Sequence, residues 1–572
     1  MRAVTKPAAA QGVTKHAESD QARLKQLVAS QDFLEIAASA ADKFGSCRKP
    51  IAMWMTNHVT GERKAIGAAC GNTLESVCPA CSKRKRAIRI QQCREGWHLD
   101  QEPEIEERPV TELQQDLVCA RSSLFADYQQ AKKDGDTELM AGIREIVADL
   151  DKELRENGAR RLPPLDAPGK KRRRSTRRLQ EAPNLPRKKV ERRTIGATFA
   201  EGKYRPGMFA TLTMDSYGRV HRDGAVNKKG EVCGDGSPVD PDSYDYVRAA
   251  RDIIHFSALF NRWTQNLRRA LGWNVQYFGT VEPQRRGAPH VHLLLRGAIP
   301  NEVLRQVTAA TFVRVWWPHH DQEIYTGANM PVWDYQARTF VDPKSGVPLH
   351  QWEDAQDILD SCDEMEPAHV IRFGEQIKPK GIVKGTKKAD AAIGYLAKYL
   401  TKSVAEILEP PNQRTAEHYE RLHAELLRTP CSDHCPVWLR YGIVPKGVNS
   451  KTQPGHCRNK AHSRDSLGVA GNRQFVSKLW TGKTLKDHAA ERRDFVKQLL
   501  EGVGMTPDEA DGWDPDEVTV VVAEPGDPTV PPRAHLIMSL LAQKQRQRAQ
   551  VLMAQMSAGP PGGEAVKQVP AA

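Results

Sequence analysis

The segment Gly287–Arg296, GAPHVHLLLR, constrains this chain most, because His290 and His292 stand two residues apart inside an apolar run of strand character. Side chains alternate across a strand, so both imidazoles leave the same face and can share one ion. Leu293, Leu294 and Leu295 continue the run, while Gly287 and Pro289 before it are turn residues. Upstream, Trp273 to Glu282 is rich in β-branched and aromatic residues and reads as the partner strand, with PQRRGAP as the connecting loop. A hairpin of this kind returns the Glu282 carboxylate to the two histidines. Two imidazoles and one carboxylate leave open positions, which suits a catalytic Mg²⁺ or Mn²⁺ whose remaining ligands come from a phosphate. A pair of ordinary structural histidines is the competing reading of the motif alone.

About a hundred residues later lies YLAKYLTK, from Tyr395 to Lys402. On a helix Tyr395 and Tyr399 fall about 40° apart, with Lys398 and Lys402 on the adjacent flank. Ile393, Leu396 and Leu400 occupy the other side and anchor it to a core. An amphipathic helix with snorkelling tyrosines accounts for the pattern alone. Beside a metal-type hairpin, the phenols become candidate nucleophiles and the lysines stabilise phosphate or phenolate charge.

These elements, with the strand Met208–Thr213, resemble the HUH endonucleases in their rolling-circle replication initiator branch. The doubled tyrosine resembles the two-tyrosine superfamily. FATLTMDSYGRVHRDG, VEPQRRGAPHVHLLLRG, AKYLTKS and the cysteine segments are similar to the RepSA-type initiators of actinobacterial plasmids and integrative elements. The resemblance implies an α+β fold: an HUH-type antiparallel sheet carrying Glu282, His290 and His292 on central strands, with the tyrosine helix packed over one face. It also implies an activity. One tyrosine attacks an origin phosphodiester, leaving a 5′-phosphotyrosyl link and a 3′-OH primer, and the second later rejoins the displaced strand. The implied partners are origin DNA, single-stranded or supercoiled, and the host helicase and replication machinery. A relaxase or transposase of the same chemistry, or a zinc-containing DNA-binding regulator without nuclease activity, are the alternatives.

The eleven cysteines are clustered, and in a reducing compartment clustering argues for zinc rather than disulfides. Cys70, Cys78 and Cys81 form a knuckle with Cys47 upstream and Cys93 and His98 downstream, so the fourth structural zinc ligand is either Cys47 or Cys93. A second grouping, Cys431, His434 and Cys435 followed by His456, Cys457 and His462, has the residue types of another zinc site. Cys119, Cys233 and Cys362 read as ordinary thiols.

Of the net charge of +13, +10 lies between Lys170 and Arg193, where twelve Lys or Arg face two Glu. This run reads as a disordered linker that contacts phosphates non-specifically. The N-terminus lacks an apolar core and no run approaches a membrane span, so a cytoplasmic protein without a membrane partner is expected. Helical periods mark residues 17–44, 111–157, 249–271, 301–316 and 535–555, and residues 317–380 read as an excursion. The expected organisation is an N-terminal helix and zinc module (1–110), a helical stretch and basic linker (111–204), the catalytic domain (205–410), a Cys/His segment (411–490) and a helical, Pro/Gly-rich tail (491–572).

Overall fold

The apolar histidine segment forms a central strand. In chain order the main sheet contains β1 (Pro206–Met214), β2 (Tyr277–Pro283), β3 (Pro289–Arg296), β4 (Phe312–Val315), β5 (His369–Ile377), β6 (Lys380–Val383) and β7 (Gln474–Val476). The order is β7-β2-β3-β1-β5-β4, every pairing is antiparallel, and β6 also pairs with β1. This computed structural model describes residues 31–104, 111–159, 162–165, 185–197, 205–222, 234–362, 364–383, 385–398, 401–471, 473–502 and 517–557, with a few isolated positions.

The alternation of β3 explains the layers. Val291, Leu293 and Leu295 point to one face, where the long helix Tyr246–Leu271 contributes Leu259, Phe260, Trp263 and Leu267. Asp245 caps that helix at its start, and Gly272 ends it in the left-handed region at φ 78°. Leu294 and Phe278 point to the other face and pack with Ile393 and Leu396 of the helix Lys387–Lys398. Leu293, Leu294 and Leu295 are wholly buried, and each such side chain stabilises the fold by about 1.5–3 kcal/mol.

Two Trp residues join the N-terminal module to this sheet. The helix Pro79–Trp97 ends where Trp97 lies over Gly207, and Trp480 lies over Gly96. A Cβ on Gly207 would stand 1.9 Å from Trp97 Nε1, and one on Gly96 2.2 Å from Trp480 Cδ1, so neither position accepts a side chain. Arg296, at the end of β3, is buried and donates to the carbonyls of Gly96, Leu479 and Trp480 and to Thr194 Oγ1. Burial lowers its pKa to about 10. A second small sheet pairs Ile51–Asn57 with Arg63–Ala68 on one side and with Val518–Val522 on the other. The C-terminal helix Arg533–Ser557 packs on the helix Gln31–Phe44 through Ala37, Ala41, Ala534 and Ile537.

A separate compact unit, Glu104–Gln180, holds two helices, Glu112–Asp134 and Thr137–Glu156. The helical period over 111–157 is therefore broken once. Gly135 at φ 75° closes the first helix and Asp136 caps the second. Tyr128, Ile143, Val147 and Leu165 form its core, and Arg121 pairs with Asp151 at 2.5 Å.

Three sequence expectations need correction. Residues 301–316 are not one helix: Asn301–Ala310 is helical, and the β-branched, aromatic Phe312–Val315 becomes the edge strand β4. The stretch 317–380 is not only an excursion, because it supplies β5, which pairs with β1 beside the histidine strand. The basic run is not all linker. Lys188 N–H donates to Arg269 O and Glu191 N–H to Gly272 O, so its second half is docked on the end of the long helix. Most of its first half, residues 17–30 and Cys233 lie outside the described residues. Among the described residues no helix is long and apolar enough to cross a membrane.

Candidate active site and metal centres

Strand register brings the histidine motif together with its expected partner. Glu282 on β2 lies opposite His290 on β3, and Glu282 Oε2 is 3.6 Å from His292 Nε2. The two imidazoles share a face, with ring centroids 4.5 Å apart. On the other side of β3, Thr213 pairs with His290 and Thr211 with His292. Thr213 Oγ1 lies 3.0 Å from His290 Nδ1, and Thr211 Oγ1 lies 3.1 Å from His292 Nδ1. Each threonine accepts an Nδ1–H in this arrangement, which leaves the Nε2 lone pairs for a cation or an acidic proton. The strand Met208–Thr213 is part of the family resemblance, but the sequence does not assign its two threonines to the histidines. Their only signal is the same two-residue period as the histidines.

The helix Lys387–Lys398 sets Tyr395 over this face. Its hydroxyl is 3.1 Å from His292 Nε2, and its ring meets that imidazole edge to face at 4.9 Å. Phe209 packs against both rings. Tyr395, Lys398, Lys402, Glu282, His290 and His292 all line one cavity of about 1560 Å³, whose wall also carries Arg222, Arg286, Arg372 and Lys378. Tyr399 lies outside the described residues. Burial, reinforced by His292, Arg286 and Lys378, pushes the His290 pKa down to about 3, so near neutral pH its imidazole is neutral and able to ligate. Donor types suit Mg²⁺ or Mn²⁺. The trio is looser than the cysteine clusters: its ligand atoms do not all lie within 4.8 Å of one another. An ion there would take further ligands from substrate and water.

The cysteines divide differently. Cys47, Cys70, Cys78 and Cys81 place their sulfurs within 4.8 Å of one another, with Cys47 and Cys78 sulfurs 3.9 Å apart. Four thiolates about 2.3 Å from a zinc stand about 3.8 Å apart, so this set fits a tetrahedral ion. Cys78 and Cys81 flank the start of a helix whose first residue is Pro79, and Cys81 lowers the Cys47 pKa to about 5 by hydrogen bonding. Of the two candidates for the fourth position, Cys47 is the one brought to the other three sulfurs. Cys93 is instead packed with Trp97 and Trp480, and burial raises its pKa.

Cys431, Cys435, Cys457 and His462 form the second set. His462 Nδ1 donates to Leu426 O at 2.8 Å, leaving Nε2 3.4 Å from Cys435 Sγ. A backbone carbonyl therefore fixes the ligating tautomer. His434 does not join them: it is exposed and bonds the neighbouring Asp433. His456 is exposed, as are Cys119 and Cys362.

Fold and sites together define an α+β protein with two cysteine-rich clusters and a basic, histidine-lined cavity. A family model described as RepSA: Replication initiator protein, pSAM2, matches residues 33–543, and the chain belongs to that family. It is 27% identical over 266 residues to the replication initiator protein of Streptomyces ambofaciens, covering 41% of this chain. The match spans about half of that relative, 51% of its length. No solved structure matches.

Proposed function

We propose that this protein initiates rolling-circle replication by nicking one strand of an origin and later rejoining it. The observation that carries this reading is the Tyr395 hydroxyl held against His292 Nε2, inside a basic cavity, on the face that also bears His290 and Glu282. Family membership supports the replication role.

The chemistry is a transesterification. The Tyr395 oxygen attacks a backbone phosphorus and the P–O3′ bond breaks, giving a 5′-phosphotyrosyl link and a free 3′-OH. The phenol loses its proton and the departing 3′ oxygen gains one, so no nucleotide cofactor is consumed. Arg286, Arg372, Lys378 and Lys398 hold the strand by its phosphates, and Lys402 adds charge near the attacking oxygen. A Mg²⁺ or Mn²⁺ held by Glu282, His290 and His292 would polarise the scissile phosphate. Tyr399 is the second nucleophile, attacking the regenerated junction to release a circle. Zn²⁺ in the two cysteine clusters keeps its structural role. The 3′ end is then extended by host helicase and polymerase.

The test uses supercoiled DNA carrying the origin of the protein's own element. Wild type should leave a nick blocked at its 5′ end, whereas the double variant Tyr395→Phe, Tyr399→Phe should bind that DNA and form no covalent adduct. A DNA-linked peptide mapped outside these two tyrosines would overturn the reading. Replication of an origin plasmid supplied with this gene alone separates an initiator from a relaxase or transposase.

A further inference from the structure

Away from the cavity and both cysteine clusters, Glu95, His488 and Glu491 bring their ligand atoms within 4.8 Å of one another. Glu95 sits in the last turn of the helix Pro79–Trp97, and His488 and Glu491 lie one turn apart on the helix Leu485–Gly502. The His488 side chain is 0% exposed, yet its Nδ1 has no hydrogen-bond partner. That nitrogen is aimed at Glu95 Oε2, 3.5 Å away, and at Glu491 Oε2, 3.8 Å away.

The other atoms of the cluster are already occupied in a complementary way. Lys483 Nζ holds the opposite oxygens, Glu95 Oε1 at 2.8 Å and Glu491 Oε1 at 2.7 Å. His488 Nε2 lies 3.1 Å from Thr481 Oγ1, which can accept its N–H and so fixes the tautomer with the Nδ1 lone pair facing the carboxylates. An orphaned, buried nitrogen costs free energy unless a partner meets it. Two carboxylates with one ammonium leave one unbalanced negative charge at the same point.

We infer that Glu95, His488 and Glu491 form a third metal site, which takes a zinc-class divalent cation and clamps the helix Leu485–Gly502 to the helix that carries the zinc knuckle. One imidazole nitrogen and two carboxylate oxygens bound at about 2.0–2.2 Å stand about 3.4 Å apart around a tetrahedral ion, so small side-chain shifts close the set. Lys483 keeps its oxygens throughout. Water takes the fourth position.

The test is equilibrium dialysis of the full chain against buffered free Zn²⁺, with metal counted per chain. Wild type should hold one zinc more than Glu491→Gln at the same free zinc, and the affinity of that last equivalent should fall more than about 10-fold in the variant. Glu491 is at the rim of the cluster, so the substitution leaves the buried His488 in place. Co²⁺ loading should show the thiolate charge-transfer bands of the cysteine clusters unchanged in both proteins, with only the weak nitrogen/oxygen-type bands lost. Lys483→Met removes a positive charge that repels a cation bound at the other carboxylate oxygens, and should tighten the extra equivalent. Equal zinc counts in wild type and Glu491→Gln, or no tightening with Lys483→Met, would overturn the site and leave a plain ion network.

Discussion

The cysteine clusters and the histidine face show two ways of assembling metal-type donors. In each cluster four donors close on one point. Several are buried, and Cys435 belongs to a core with Trp438 and Trp352. The Glu282/His290/His292 face stays open, one imidazole nitrogen is engaged by a phenol, and a broad basic cavity lies in front. The first arrangement can stabilise a fold but has no vacancy for a substrate. The second holds its protein ligands by strand register and can leave positions for a phosphate.

The largest effect should come from breaking a closed set. Structural zinc contributes about 10–16 kcal/mol of apparent binding free energy, so Cys435→Ser should lose one zinc per chain and unfold the region around Trp438. Metal counting together with thermal melting checks this. Cys93→Ser sharpens it, because that thiol lies outside the cluster: it should keep all its zinc. Wild-type zinc content and melting in Cys435→Ser would erase the distinction.

The open set should behave in the opposite way. If His292 serves the reaction and not the fold, His292→Ala should lower nicking by at least about 10³-fold, a loss of several kcal/mol of transition-state stabilisation. Origin binding and melting temperature should stay near wild type. Origin nicking within a few-fold of wild type would remove His292 from the mechanism.

Legibility in the sequence divided along the same line. His-x-His in an apolar run, a partner strand ending in Glu282 and a turn between them are local patterns, and the hairpin with its Glu282–His290 pair follows from them. The choice between Cys47 and Cys93 did not, because it depends on the route of the chain. The strand Arg63–Ala68 and Gly71 return Cys70 to Cys47, whereas Cys93 lies near the far end of the helix Pro79–Trp97 and meets Trp480 from far down the chain. The strands β4 and β5 were hidden for a related reason. β4 is only four residues long and directly follows a helix, and β5 pairs partly through an irregular register. The pairing of Val518–Val522 with Ile51–Asn57 spans most of the chain and left no local trace.

A smaller effect should follow from loosening the open set without removing a ligand. Thr211→Val and Thr213→Val keep shape but delete the acceptors of the two Nδ1–H groups. Partners of this kind typically change metal affinity or activity by 10–100-fold. Each variant should therefore need about that much more Mn²⁺ for half-maximal nicking, with the maximal rate recovered at high metal. Unchanged metal dependence in both would assign the threonines to packing alone.

The smallest effect concerns pH, where acid strips ligands from both kinds of site and obscures the comparison. His418 gives a measure free of either. It is buried between Tyr246 and Arg286, with Nδ1 3.0 Å from the Tyr246 hydroxyl and Nε2 3.2 Å from the Arg286 carbonyl. Nε2–H donates to that carbonyl and Nδ1 accepts from the phenol, so the neutral ring is the one that fits. Burial pushes its pKa down from 6.5 to about 4. The folded state therefore resists a proton that the unfolded chain binds below pH 6.5. Its stabilising contribution is complete above that pH and is lost as the pH falls to about 4, in all on the order of 3 kcal/mol. His418→Gln cannot titrate, so its unfolding free energy should be lower than wild type at pH 7 and should fall less steeply from pH 6.5 to 4. Urea unfolding of both proteins across that interval reads the difference directly, because acid loss of metal is common to the two. Parallel pH slopes would show that His418 is protonated alike in the folded and unfolded chains.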